Sequence, residues 1–240
     1  MLKHGRLTLM LLFLLPSPTL AQPRVPGIFP EFDKWEVSAF FGVSYLDDNT
    51  FATAQEGGQT QLVGLNFANG YVAGARITEN LGENFGAELE YSYANHPMTF
   101  ENLAQDLPRL DRHHHVHKLS YSILYYPLDR HSRIRPFGSV GGGASFYQAS
   151  GDAGDQAIGQ SVELKGRWKA AFSYGGGVKI KLDEKWGLRA DIRDHVTGVP
   201  DFALPSQSID PAVPAIRPQG ELHNWQVSLG ILYTFDFANR

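Results

Sequence analysis

The run His-His-His-Val-His at positions 113–117 is the densest group of possible metal ligands in the sequence. Alternate side chains of an extended strand share one face, so His113, His115 and His117 are predicted to present three imidazoles along one edge. Neutral imidazole binds Zn²⁺, Cu²⁺ or Ni²⁺, and the nearby Asp111 is placed to supply an oxygen ligand. Because i, i+2 spacing rarely closes a tetrahedral site, a polar rim that binds no metal is the alternative.

Charged residues on the polar faces of the predicted strands form a second candidate site. Lys179 is predicted to lie opposite Arg189, and like charges in that position need a diagonal carboxylate such as Asp191. We predict a buried salt-bridge network that fills a narrow barrel, and a gated ion path is the alternative. The members of the network are Glu36, Arg76, Glu88, Glu90, Lys179, Arg189, Asp191, Arg193 and Asp236.

No spacing of serine, histidine and acidic residues in the sequence matches a catalytic centre. A nucleophile needs its base within hydrogen-bond reach. His117 and Ser120 are three residues apart, so they point to opposite faces of one strand. The sequence therefore predicts a protein that is not an enzyme.

The elements that position these residues are strands, and the hairpin over residues 172–194 shows this most clearly. Apolar residues alternate with polar or small ones on both arms, and a turn at 183–185 puts the two apolar rows on one face. On the other face Gly175 and Gly177 are predicted to lie opposite long charged side chains. This arrangement indicates a narrow barrel with a crowded polar interior.

The connections between the predicted strands alternate in length, beginning with a long one. This pattern predicts an all-β fold, an eight-stranded antiparallel up-and-down transmembrane β-barrel with short periplasmic turns and long extracellular loops. The four tryptophans fall near strand ends, as in interfacial girdles. A secreted soluble barrel is the alternative. The predicted strands are 34–45, 71–79, 85–94, one that contains 119–125, 136–147, 172–182, 186–194 and 224–237.

Two further expectations concern the pairing of neighbouring strands. Joining the second and third strands across a turn that contains Asn80 and Gly82 predicts Arg76 opposite Glu88 on the polar face. The glycine triplets at 141–143 and 175–177 are predicted to lie at similar height on neighbouring strands, where they make room for bulky luminal groups.

The first 21 residues are predicted to be a cleaved signal peptide. Lys3 and Arg6 precede an apolar run, and small residues precede a cleavage point after Ala21; a retained membrane anchor is the alternative. Residues 22–33 are predicted to be a proline-rich periplasmic lead-in, and 34–240 the barrel domain. Cysteine is absent from the sequence, which suits passage through an oxidising periplasm.

The charge of the predicted mature chain bears on its partners. Without Lys3 and Arg6, 19 of the 21 basic residues remain, against 25 acidic residues. This mild acidity argues against a nucleic-acid partner.

Three stretches carry a resemblance to a known family: PFGSVGGGASF at 136–146, YGGGVKIKLDEKWGLRADIR at 174–193 and WQVSLGILYTFDF at 225–237. They resemble the small outer-membrane β-barrel domain family, whose members are similar to the transmembrane domain of outer membrane protein A and to opacity-type proteins. The resemblance implies an integral outer-membrane protein in contact with outer-membrane lipid, lipopolysaccharide and the assembly machinery. Such barrels usually end on an aromatic residue, whereas here residues 238–240 follow Phe237.

The predicted function is therefore a structural or surface-interaction role, in which the long loops bind an unidentified extracellular ligand. A narrow pore for small solutes or ions is one alternative, and an outer-membrane lipid-modifying enzyme is another. No cofactor is predicted apart from a possible divalent metal at the histidine rim.

Overall fold

The computed structural model describes residues 34–46, 51–56, 59–67, 69–101, 110–150, 166–200 and 215–235. Within these ranges no helix is long and apolar enough to cross a membrane. The strands are β1 (Trp35–Leu46), β2 (Phe51–Glu56), β3 (Gln59–Phe67), β4 (Gly70–Leu81), β5 (Phe85–Glu101), β6 (Leu110–Tyr125), β7 (Ile134–Ser150), β8 (Arg167–Lys181), β9 (Trp186–Gly198), β10 (Ala215–Gln219) and β11 (Glu221–Phe235).

Eight of these strands close into a barrel in the order β5-β4-β1-β11-β9-β8-β7-β6, and pairing between β5 and β6 completes the circle. Every pairing in the barrel is antiparallel. Strands that follow one another in the barrel are joined by short turns at one end, such as 82–84 and 182–185. The predicted eight-stranded antiparallel barrel is confirmed.

The two faces of the barrel wall differ in polarity. Large apolar side chains point outward, and Leu229 and Phe41 are 70% and 63% exposed. Inward-facing positions are mostly polar and buried, as Glu36 and Arg193 illustrate. This polar interior and apolar exterior is the arrangement that a lipid bilayer requires of a barrel.

Three strands lie in segments that were predicted to be loops. β2 and β3 form a hairpin, and β10 pairs with the outer side of β2. β3 pairs with the Met98–Glu101 end of β5, beyond the point at which β4 has ended. The loop prediction was wrong here because it rested on the alternation of side chains, whereas β3 pairs with the protruding edge of β5 through its backbone, and β2 and β10 are added to β3 in turn.

The turn between β4 and β5 corrects one predicted register. Leu81 pairs with Phe85, so the turn is centred on residue 83, with Gly82 at its start at φ 80°. Arg76 consequently lies opposite Glu90, and the predicted pairing with Glu88 was wrong by two residues. A shift of two leaves every side chain on its predicted face, because the side-chain period of a strand is two.

The β8–β9 hairpin has the predicted register, with Lys179 opposite Arg189. Asp183 Oδ1 accepts hydrogen bonds from the backbone N–H groups of Trp186 and Lys185, each at 2.8 Å. These bonds stabilise the ionised carboxylate and hold the pKa of Asp183 below its usual value. The carboxylate thereby fixes the turn that sets the register of the hairpin.

The two glycine triplets are offset, contrary to prediction. Gly142 lies opposite Phe172, and Gly176 lies opposite Gly138, so the triplets stand four positions apart along β7. The height of each triplet depends on where the turn before its strand ends. The sequence did not show that the turn before β7 extends to residue 133.

Candidate functional site

The structure brings the predicted charged residues together inside the barrel. Eight of the nine are buried there: Glu36, Arg76, Glu88, Glu90, Lys179, Arg189, Asp191 and Arg193. The ninth, Asp236, lies outside the described residues. The buried eight come from β1, β4, β5, β8 and β9, so the site is assembled across the lumen.

Glu88 is the most strongly compensated carboxylate in this part of the lumen. Arg189 Nη1 lies 2.5 Å from its Oε2, and Arg193 Nη2 lies 2.5 Å from its Oε1. The Thr78 hydroxyl donates a further hydrogen bond at 2.8 Å, and Arg76 Nε is 3.9 Å away. Charge-assisted bonds of this kind keep a buried carboxylate ionised and held in place.

Arg76 links the remaining carboxylates. Its Nε lies 2.5 Å from Glu90 Oε2 and its Nη2 lies 3.1 Å from Asp191 Oδ1, while its Cζ stacks 3.6 Å from the centroid of the Phe40 ring. Arg193 also reaches Glu90, at 3.2 Å. Three cations and three anions thus balance one another. We call them the central cluster: Arg76, Arg189, Arg193, Glu88, Glu90 and Asp191.

The like-charged pair Lys179 and Arg189 is tolerated because each has its own carboxylate. Arg189 Nε lies 3.1 Å from Asp191 Oδ2, two residues along the same strand; Asp191 is the carboxylate that the sequence suggested for this pair. Lys179 Nζ instead lies 2.5 Å from Glu36 Oε2 on β1. Separate counter-ions therefore prevent the repulsion that direct opposition of two cations would produce.

A second layer closes the lumen towards the short turns. The Tyr126 hydroxyl accepts from Lys179 Nζ at 2.7 Å, and the Arg135 guanidinium stacks on the Tyr126 ring at 3.5 Å. Asn80 donates to Glu36 at 2.7 Å and accepts from Arg135 at 2.9 Å. These bonded side chains fill the lumen between the central cluster and the short turns.

Apolar side chains close the lumen towards the long connections. Val72 pairs with Ala94, Ala94 with Val116, and Val116 with Tyr147, around four neighbouring strands. All four are buried, as is Leu222 on the opposite wall. We call these five residues the outer apolar layer. The lumen is therefore filled on both sides of the central cluster.

The three predicted metal ligands lie on the outward face of β6, where His115 and His117 are hydrogen-bonded to tyrosines of β5. His115 Nδ1 is 2.6 Å from the Tyr93 hydroxyl, and His117 Nδ1 is 2.9 Å from the Tyr91 hydroxyl. Among the described residues no group of three or more histidine, cysteine or acidic side chains could hold a metal ion. A metal at His113, His115 and His117 therefore needs further ligands, and the side chain of Asp111 lies outside the described ones.

Sequence reasoning missed several residues of the lumen and rim. Arg135 fell in a predicted turn, and Tyr126 follows the last residue of β6, so neither belonged to an alternating run. Asp194 is fully buried on the outward face, where it accepts from the Tyr174 hydroxyl at 2.8 Å and lies 2.6 Å from His223 Nδ1. Its outward parity on β9 was visible, but no sequence spacing links it to β11.

Comparison with known proteins places this architecture among outer-membrane barrels. A model of the family "Outer membrane protein beta-barrel domain" matches residues 8–237. The crystal structure of the outer membrane protein OprG from Pseudomonas aeruginosa is similar, with a TM-score of 0.57 and 15% identity over 86% of this chain and 98% of that chain. No curated protein matches the chain by sequence.

Two other solved structures align less closely. Neisserial surface protein A (NspA) gives a TM-score of 0.46 and 12% identity over 85% of this chain and 98% of that chain. The N-terminal β-barrel domain of Pseudomonas aeruginosa OprF gives 0.42 and 14% identity over 85% of this chain and 100% of that chain. The likeness to OprG supports the same fold.

Replacing Arg76 by alanine tests the central cluster. Arg76→Ala removes the cation shared by Glu90 and Asp191, so we expect the free energy of unfolding to fall by about 3 kcal/mol or more. Urea unfolding in lipid vesicles, followed by tryptophan fluorescence, measures the change. Arg130→Ala is the control, because its 3.4 Å pair with Glu83 is partly exposed and is expected to contribute at most about 1 kcal/mol. Equal effects of the two substitutions would contradict a buried network.

The predicted metal site is tested by calorimetric titration of the refolded barrel with Zn²⁺. A real site binds below about 100 µM and is lost when His113, His115 and His117 are all changed to alanine. His131→Ala is the control, because that histidine lies in a turn at the other end of the barrel. If the triple variant binds as well as the parent, the rim is not a metal site.

Proposed function

Because the chain belongs to the outer membrane protein beta-barrel domain family, we propose that it acts as a closed outer-membrane barrel whose external strands and loops bind a surface ligand. Its barrel is integral to the bacterial outer membrane. The proposal is a structural and interaction role, without catalysis or bulk transport.

The observation that carries the proposal is the filled lumen. Ion pairs between β5 and β9 join walls that are four strands apart in the circular order, so they span the interior. Eight-stranded barrels have an interior just wide enough for their own side chains. A continuous water path would require the central cluster and the outer apolar layer to separate.

The second support is the length of the strands on the external side. β5 and β7 each have 17 residues, whereas a tilted strand crosses the bilayer in about 9–11 residues. The excess carries the wall beyond the bilayer, where β2, β3 and β10 extend it. An enlarged sheet outside the membrane offers a binding surface that the barrel itself does not need for closure.

Aromatic side chains near the outer ends of the strands support contact with lipid and lipopolysaccharide. Trp168 packs on Phe146 at 5.0 Å between centroids, and Trp225 packs edge-on against Tyr174 at 6.1 Å. Aromatic rings of this kind favour the membrane interface. We further propose that the first 21 residues direct export of the chain and that the outer-membrane assembly machinery inserts it. The mild net negative charge of the chain gives no support to nucleic-acid binding.

Planar-bilayer recordings test the closed lumen against the narrow-pore alternative. We expect the wild-type barrel to show at most small and rare openings, since conduction requires the buried ion pairs to break. Glu88→Ala should open more often, because it leaves Arg189 and Arg193 without their shared carboxylate. Steady large conductance of the wild type would support a pore and overturn the proposal.

Cell-surface crosslinking tests the proposed interaction site. Replacing residues 47–68 by a short turn removes β2 and β3 and takes away the strand on which β10 pairs. We expect this variant to insert normally but to lose the crosslinked partners of the wild type. A variant with 151–165 shortened is the control for loop length. Identical crosslinking by wild type and the 47–68 variant would exclude this sheet as the binding surface.

A further inference from the structure

Tyrosine and histidine side chains are bonded to one another on the outward face of the barrel. The Tyr93 hydroxyl is 2.6 Å from His115 Nδ1, and the Tyr91 hydroxyl is 2.9 Å from His117 Nδ1. These contacts join β5 to β6, and a further polar contact joins β4 to β5. We call the following residues the tyrosine–histidine patch: Tyr71, Tyr91, Tyr93, Asn95, His115 and His117.

The rings of the patch continue into a row of aromatic side chains around the barrel. Tyr93 contacts His117 at 5.2 Å between centroids, His117 contacts Phe146 at 6.4 Å, and Phe146 contacts Trp168 at 5.0 Å. These four residues occupy paired positions across β5, β6, β7 and β8. Tyr91 and Trp168 are 48% and 65% exposed. The row therefore presents aromatic surface to the surroundings of the barrel at this height.

The patch lies where the barrel wall leaves the membrane. β4 and β5 are paired over 11 positions, from Leu81 with Phe85 at the short turn to Tyr71 with Asn95 at the other end. Asn95 Nδ2 donates to the Tyr71 hydroxyl at 3.4 Å across the last of these pairs. A tilted strand crosses the bilayer in about 9–11 residues, so this pair lies at the outer interface. The sugars of an outer-leaflet glycolipid lie at the same height.

The outward faces of the two ends of the barrel differ. At the short-turn end aromatic rings pack on one another, Tyr125 on Phe85 at 5.5 Å and Tyr233 on Trp186 at 5.0 Å. At the outer end the tyrosine hydroxyls are bonded to Nδ1 of the imidazoles, so Nε2 of each ring is the nitrogen that remains for a ligand. Orientated polar groups beside exposed rings suit a sugar, which offers both hydroxyl groups and an apolar C–H face.

We propose that the tyrosine–histidine patch binds the sugar headgroup of an outer-leaflet glycolipid of the lipopolysaccharide type. The tyrosine rings contact the apolar face of the sugar, and the hydroxyl, amide and imidazole Nε2 groups bond to its hydroxyl groups. The acyl chains of the glycolipid lie along the apolar wall below the patch, where Leu89 and Leu119 are exposed. The inference rests on the proposed contact with lipopolysaccharide and names the surface that makes it.

Native mass spectrometry of the detergent-solubilised wild-type barrel is the first test. The probe is an equimolar mixture of lipid A and phosphatidylglycerol, in EDTA so that neither a metal ion at the histidines nor a bridging cation contributes. We expect one lipid A per barrel to be retained in preference to phosphatidylglycerol, and deacylated lipid A, which keeps the sugars, to displace it. Absence of bound lipid A, equal retention of the two lipids, or no displacement by the deacylated form would overturn the proposal.

A pair of double variants locates the site. His115→Phe with His117→Phe keeps two aromatic rings but removes their nitrogens, so we expect the affinity for lipid A to fall roughly 10-fold, because hydrogen bonds to the sugar are lost. Tyr125→Phe with Tyr233→Phe is the matched control, because it removes two hydroxyls from the rings at the short-turn end. Unchanged affinity in the histidine variant, or an equal loss in both variants, would contradict the site.

The variant that lacks residues 47–68 keeps the patch separate from the external strands. Those residues supply none of the patch, so this variant should bind lipid A with the wild-type affinity. Loss of surface crosslinks and loss of lipid A binding are therefore distinguishable, and either proposal can fail while the other holds.

Discussion

The compensation of buried arginines by Glu88, Glu90 and Asp191 is the constraint on which the rest of the interior depends. Arg189 and Arg193 lie two positions either side of Asp191 on β9, so one strand places two cations in a space with little water. Glu88 reaches both of them from the opposite wall. Removing one partner would leave a buried charge that neither a counter-ion nor solvent stabilises. Such a change typically destabilises a protein by several kcal/mol. The central cluster therefore joins opposite walls of the barrel and also fills the lumen between them.

The room for these long side chains comes from the neighbouring strand. Gly175 lies opposite Arg193 and Gly177 lies opposite Asp191. A Cβ atom added at Gly177 would lie 2.3 Å from Ala190 O, and one added at Gly175 would lie 2.2 Å from Ile192 O. These contacts involve backbone atoms that a side-chain rotation cannot relieve, so the close approach of β8 to β9 requires glycine at both positions. The charges of β9 and the glycines of β8 are thus one feature of the fold.

The sequence was sufficient to predict which face of the barrel wall each strand residue lies on. It was less informative about which residues each side chain contacts. Parity identified Arg76, Glu88 and Glu90 as inward-facing, and it survived the two-residue error in register because a strand repeats every two residues. Which carboxylate Arg76 contacts depended on the centre of a short turn, which the position of Gly82 did not fix. Contacts across the lumen, such as Lys179 with Glu36, were beyond prediction because they depend on barrel closure and strand tilt. β2, β3 and β10 were missed because they are held by backbone pairing, β3 with the protruding end of β5, β2 with β3 and β10 with β2, rather than by side-chain alternation.

The layers of the lumen separate the stability of the barrel from its external surface. Up to Asn95, β5 is held between β4 and β6, and its luminal side chains belong to the packed interior. Beyond that residue β5 has left β4, and from Met98 onward it pairs with β3. The ion partners of Glu88 and the five residues of the outer apolar layer all belong to strands other than β2 and β3, so substitutions in β2 or β3 remove none of these contacts. Since the barrel closes without them, the sequence of the external strands can change while the membrane-embedded part keeps the same structure.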